Sequence, residues 1–206
     1  MRDQELAEAF ERSEINLLVE LRTGNGFDEK EYEKLVEALT ACANEWECRN
    51  SIPKKAVYPL IELYDELVNF SFIYTGERGV RIKNAAENLK KLIHRCTSEE
   101  DNTESEKVKV IAKLSEYIKE DGNFFTKLQN GKGIDEQQFE KIYDELNDIS
   151  DEIHTWESFP KSFVNILIDL CELDLFVHLY QDEFHLQEEA DKIYDAYERI
   201  FGLIFG

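Results

Sequence analysis

Carboxylates one helical turn apart can share a divalent cation, and this chain holds several such pairs. Glu62 and Asp65 stand three apart, Glu29 and Glu33 four apart, and Asp169 and Glu172 three apart. On helices these spacings put both side chains on one face, as magnesium would require. A second candidate is His178, Asp182 and His185, whose i, i+4, i+7 spacing would aim three ligands at one metal if the helix ran unbroken. Both patterns have a plain structural reading. A chain with 45 acidic residues makes ExxD and ExxE pairs freely on solvated faces. Asp182-Glu183-Phe184 reads as a turn, which would part the two histidines.

The remaining chemistry-bearing residues are scattered. His94 and His154 stand alone. Cys42, Cys48, Cys96 and Cys171 form no CxxC or other metal-ligand spacing, so free thiols are expected. TGNG (23–26) and NGKG (130–133) precede helices but lack the Walker and dinucleotide patterns. Trp46 and Trp156 read as core or rim aromatics. No catalytic residue, metal or cofactor is expected, and the chain is not read as an enzyme. The alternative enzymatic reading is an all-α, magnesium-dependent nucleotide pyrophosphohydrolase using Glu29, Glu33, Glu62 and Asp65.

Charge gives the clearest direction. Twenty-four basic and 45 acidic residues leave a net charge of −21. Such a chain is repelled by nucleic acid and by anionic membranes and attracts basic partners. The charge is uneven: residues 1–100 carry −6 and residues 101–206 carry −15. All of the second value falls within 134–206, where four basic residues face nineteen acidic ones. The N-terminus, MRDQELAEAFERSE, has no apolar core of the signal-peptide kind, and no stretch is long and apolar enough to span a bilayer. A cytoplasmic protein is expected.

The elements that must position these charges announce themselves by repetition. TGNGFDEKEYEKL (23–35) returns 107 residues later as NGKGIDEQQFEKI (130–142), and from Leu21/Leu128 to Leu39/Leu146 eight of nineteen positions are identical. The same offset pairs Ser51-Ile-Pro-Lys54 with Ser158-Phe-Pro-Lys161. In each phrase two glycines can stop a helix and turn the chain. Asp28 and Asp135 then serve as N-caps, with Glu31 and Gln138 at the capping-box position. Phe27 and Tyr32 stand at hydrophobic-staple positions. One register held across a turn and a helix start indicates internal duplication.

Apolar periodicity predicts four helices per copy. They span about 3–22, 28–48, 53–74 and 79–95, then 106–129, 135–155, 160–180 and 186–203, with a kink at Gly122. No convincing strand pattern is present. The expected fold is all-α, two tandem four-helix modules: 1–96, a polar linker 97–105, and an acidic module 106–206.

On the predicted 135–155 helix, Asp144, Asp148, Asp151 and Glu152 fall opposite Ile142, Leu146, Ile149 and Ile153. Like charges one turn apart cost a helix about 0.2–0.5 kcal/mol per pair, so the stripe points to a basic partner. Asp144, Asp148, Asp151, Glu152 and the nearby Glu157 are the expected partner-binding residues, with Asp135 and Glu136 at the helix start as secondary ones.

The repeated pattern also resembles the helical immunity proteins of the colicin D type, which occur beside contact-dependent inhibition and other polymorphic toxins. The matching residues are Leu18, Leu21, Gly24, Phe27, Asp28, Tyr32, Glu33 and Leu60-Ile-Glu-Leu63. In the second copy they are Phe125, Leu128, Gly131, Ile134, Asp135, Phe139, Glu140 and Leu167-Ile-Asp-Leu170. The resemblance implies a four-helix module that binds a cognate toxin, often a ribonuclease, and blocks its active site with acidic side chains, without a cofactor. This chain departs from it in having two modules. A DNA mimic that binds a DNA-handling enzyme would rest on the same physics.

Overall fold

The computed structural model describes residues 2–98, 106–119 and 124–206. Among them the chain is all-α but for one short strand pair. Its helices are α1 (Arg2–Arg22), α2 (Glu29–Trp46), α3 (Lys54–Ile73), α4 (Glu77–Thr97), α5 (Glu106–Lys119), α6 (Phe124–Gln129), α7 (Glu136–Asp148), α8 (Ser150–Thr155), α9 (Lys161–His178) and α10 (Gln187–Phe205). Strands β1 (Ser51–Pro53) and β2 (Ser158–Pro160) pair antiparallel. The kink expected at Gly122 and the linker residues 99–105 lie outside the described residues. No helix among the described residues is long and apolar enough to cross a membrane.

Two compact units emerge. The first comprises residues 1–101 with 157–168, the second 102–156 with 169–206.

In the first unit, α1 packs on α2 and α3, and α4 on α2 and α3. The stripes read from the sequence close its core: Phe10, Leu17 and Leu21; Leu35, Leu39 and Trp46; Val57, Leu60 and Leu67; Ile82, Leu89 and Ile93, all essentially inaccessible. Helices α1 and α3 run parallel. Lys55 meets Glu8 and Glu11 at one end, and the Tyr74 hydroxyl donates to the Leu21 carbonyl (2.8 Å) at the other. α4 turns back tightly on α3, because only a residue without Cβ fits at Gly79 against the Ser71 and Tyr74 carbonyls.

The strand pair corrects the strand-free expectation. Ile52 pairs with Phe159, Ser51 with Pro160 and Pro53 with Ser158. The two SxPK copies therefore pair with each other about a local two-fold. Lys54 N donates to the Glu157 carbonyl (2.9 Å), and the equivalent Lys161 N to the Asn50 carbonyl (3.0 Å). Each proline ends its strand, so the missing N–H costs the ladder little. Three residues are too few to show alternation.

Lys161 is buried, and its ammonium donates to the carbonyls of Glu47 (3.2 Å) and Ser98 (2.8 Å), just past the ends of α2 and α4. A cation there satisfies exposed helix C-terminal carbonyls. Thr97, at the start of the expected linker, is likewise buried, its carbonyl accepting from Asn165 (3.1 Å).

In the second unit, α7 packs on α5, α8 and α10. Phe124 meets Phe125 and Phe139 at centroid distances of 5.4 and 6.4 Å, and Phe125 stacks on Phe176 at 6.1 Å. α9 is followed by a π-type turn, Leu179–Glu183, not by the continuous helix that His178, Asp182 and His185 would need. His185 itself has φ +56.

The repeated phrases adopt the same local form. Gly24 and Gly26 have φ +79 and +95; Gly131 and Gly133 have +66 and +77. Asn25 N donates to Glu20 O and Lys132 N to Lys127 O, each at 3.0 Å, the six-to-one bond of a Schellman stop. Asp28 accepts from the amides of Lys30 and Glu31 (2.8 and 3.1 Å), and Asp135 from that of Gln138 (3.1 Å). Phe27 and Tyr32 form the staple at 5.3 Å. Glu31 does not complete the capping box; it turns to Lys34 and Asn16.

Candidate partner-binding surface

The predicted helix 135–155 is broken. α7 ends at Asp148, Ile149 sits at φ −108, ψ 1, and α8 restarts at Ser150. Asn147, Asp148 and Ser150 favour such a break because their side chains compete for backbone groups, and the Ser150 hydroxyl donates to the Asn147 carbonyl (2.8 Å). The break still lets Ile153 and Trp156 reach the core.

The acidic stripe is divided accordingly. Asp144 and Asp148 lie one turn apart on the exposed face of α7, and Asp151 and Glu152 lie exposed in the first turn of α8. None of the three aspartates makes a hydrogen bond or ion pair among the described residues, whereas Glu152 accepts from the Trp156 indole (3.3 Å). Glu157 is exposed but belongs to the first unit, beside β2.

The two secondary candidates are already engaged. Asp135 caps α7 and pairs with Lys127, whose ammonium, with the Gln138 amide, holds its carboxyl below the usual range. Glu136 is exposed and lies 3.5 Å from Lys192.

The cations of this region are tied down. Arg199 forks onto Glu140 (2.7 and 3.1 Å) while lying over the Phe139 and Tyr143 rings at 4.8 and 4.2 Å. That pairing holds the Glu140 carboxyl below its ordinary value. Lys192 bridges Glu136 and Glu189. Lys161 is buried in the first unit on backbone carbonyls, and Lys141 makes no ion pair among the described residues.

A second acidic face went unread in the sequence. On α10, Asp191, Tyr194, Asp195 and Glu198 recur at helical spacing on the exposed side, with Tyr194 47% exposed. The charge of Glu198, with those of Asp174 and Asp195, pushes the Tyr194 phenol above its ordinary pKa. Tyrosine is among the residue types enriched at binding hot spots. The i, i+3, i+4, i+7 acid–tyrosine pattern was its sequence signal.

The carboxylates proposed for magnesium do not gather. Glu29 pairs with Arg81 (2.9 Å), Asp65 is buried, and among the described residues no group of three or more His, Cys, Asp or Glu side chains is placed to hold a metal ion.

No protein-family model, curated protein or solved structure matches this chain.

Proposed function

We propose that this chain is a cytoplasmic inhibitor of the immunity type, which captures a basic protein, a nuclease toxin, on the acidic surface of its second unit. The observation that carries this reading is the set Asp144, Asp148 and Asp151: exposed carboxylates that make no ion pair or hydrogen bond among the described residues, in a region whose cations are nearly all engaged. Such a surface mimics a phosphate backbone, fills a cationic active site and steers association. Tyr194 supplies an aromatic contact of the hot-spot kind. We also propose that the scaffold is a tandem duplication of a four-helix module; the twin glycine turns, caps and SxPK strands support it.

The test begins with retention of basic proteins from the source lysate at low salt and their elution in a salt gradient. The recovered protein is then assayed for nuclease activity with and without a stoichiometric amount of the chain. Inhibition that is lost in Asp144→Asn/Asp148→Asn/Asp151→Asn/Glu152→Gln is expected. A partner whose activity is untouched, or inhibition unchanged in that variant, overturns the reading. A non-nuclease DNA-handling enzyme as the inhibited partner would point instead to DNA mimicry.

A further inference from the structure

The first unit concentrates its cations on one helix. α4 carries six lysines and arginines against two glutamates, in a chain whose net charge is −21. Three of the six are engaged: Arg81 pairs with Glu29 (2.9 Å), Arg95 with Glu47 (3.7 Å), and Lys90 lies over the Tyr64 ring at 4.2 Å. Arg78, Lys83 and Lys91 are exposed and make no ion pair among the described residues. Of the two glutamates, Glu77 starts the helix and Glu87 accepts from the Tyr64 hydroxyl (3.0 Å). The same helix begins beside the most exposed large apolar side chains of the described residues. Phe72 and Ile73, in the last turn of α3, are 67 and 70% exposed, and Val80, in the first turn of α4, is 62% exposed. The close approach of Gly79 to the Ser71 and Tyr74 carbonyls holds the two helix ends together, so all three residues share one corner. Apolar groups scattered singly over a surface need no explanation, whereas a gathered set marks an interaction site.

We propose that this corner docks a second copy of the chain, through the acidic face of that copy's α10. Charge complementarity names the occupant. The α10 face, with Asp191, Tyr194, Asp195 and Glu198, joins an exposed aromatic to carboxylates, and the α4 corner joins exposed apolar groups to cations. Each carries the charge the other lacks. The spacing agrees. Val80 and Lys83 stand three residues apart on α4, and Tyr194 and Glu198 four apart on α10. At a rise of about 1.5 Å per residue, seating Tyr194 on Val80 brings Glu198 within about 2 Å of level with Lys83.

The two patches differ, so the contact is heterologous. Each copy offers one α4 corner and one α10 face, and association runs on from copy to copy or closes into a ring. A net charge of −21 on each copy opposes association at low ionic strength. Salt screens that distant repulsion while the ion pairs at the contact, only a few ångströms long, are weakened less. The contact uses none of Asp144, Asp148, Asp151 and Glu152, so it and the inhibitor reading can fail separately. It does cover Tyr194, so a basic partner seated on that tyrosine and a second copy exclude one another.

Sedimentation velocity of the full chain tests this, at about 0.15 M ionic strength, where charges more than about 8 Å apart are largely screened. The mean mass is expected to rise with concentration beyond that of the monomer. Val80→Ser/Lys83→Gln and Tyr194→Ser/Glu198→Gln change exposed residues only, and each should weaken association at least about tenfold. Their equimolar mixture retains one intact α4 corner and one intact α10 face per pair, so it should form dimers and nothing larger. Asp144→Asn/Asp148→Asn should associate as the unaltered chain does. A chain monomeric throughout, association that survives both double substitutions, or a mixture that stays monomeric would overturn the proposal. So would binding of a monomeric chain to phosphatidylserine vesicles that is lost in Val80→Ser/Lys83→Gln, which would assign the corner to an anionic lipid surface.

Discussion

Glu14 of the first unit and Asp144, Asp148 and Asp151 of the second are carboxylates without an ion pair among the described residues, in opposite surroundings. In the first unit, several carboxylates are matched: Arg49 with Asp3 and Glu45, Lys55 with Glu8 and Glu11, Arg81 with Glu29, Arg22 with Glu66. Glu14, which makes no ion pair among the described residues, is buried, and burial raises its carboxyl to about 7. In the second, Asp144, Asp148 and Asp151 are unmatched and exposed. An uncompensated carboxylate thus becomes a proton site when buried and a source of field when exposed. Net charge alone distinguishes neither.

The largest expected contrast follows from that difference. A raised carboxyl pKa leaves stability whole below the unfolded-state value of 4.5, erodes it between 4.5 and about 7, and costs the full amount above. The shift corresponds to about 3 kcal/mol. Glu14→Gln should therefore stabilise the chain by about 2–3 kcal/mol at alkaline pH and change little at pH 4, in urea titrations. Asp144→Asn should stay within about 0.5 kcal/mol at both. Equal responses would erase the distinction between the units.

The two glycine turns sharpen it at the backbone level. All four glycines have positive φ, so an alanine costs about 1–2 kcal/mol in strain anywhere. A Cβ at Gly26 meets open space, whereas one at Gly133 falls on the Glu189 carboxylate. Gly133→Ala should cost about 1 kcal/mol more than Gly26→Ala, since the side chain must also move.

The tyrosines that brace these turns differ by less. Tyr74 donates to the Leu21 carbonyl; Tyr180, fully buried, donates to the Leu128 carbonyl (3.0 Å) and accepts from the Gly133 amide (2.8 Å). Tyr180→Phe strands a buried donor and should cost about 1–3 kcal/mol, Tyr74→Phe about 1. Chemical denaturation of the paired variants measures both differences.

The smallest effect is a count of reactive thiols. Cys48 is exposed, while Cys42, Cys96 and Cys171 are buried, with the Cys42 thiol pushed up to about 12 by burial. Native chain should yield one equivalent with Ellman's reagent, and four only after unfolding. A second fast equivalent would show one of the two cores to be open.

Much of this was legible in the sequence, for local reasons. Helix stops, caps and staples are written in neighbouring residues, so Gly24, Asp28 and Tyr32 announced their roles, as did the apolar stripes. The break at Ile149 was not legible, because Ile142, Leu146, Ile149 and Ile153 fit a continuous helix as well as a broken one. The β1–β2 pair is non-local and too short to alternate. The core position of Glu14 was not legible, because apolar periodicity steps across an acid. Of the candidate surface, exposure of Asp144, Asp148, Asp151 and Glu152 followed from helical phase. That Asp135 is spent as a cap and on Lys127, and that Tyr194 stands among acids, depends on tertiary neighbours.

The central claim is that the acidic surface of the second unit steers a basic partner. Stopped-flow association with the recovered partner, measured across ionic strength, tests it most directly. The account predicts an on-rate that falls steeply with salt and drops at least about tenfold at low salt in Asp144→Asn/Asp148→Asn/Asp151→Asn/Glu152→Gln. An on-rate indifferent to both salt and the four substitutions would contradict it.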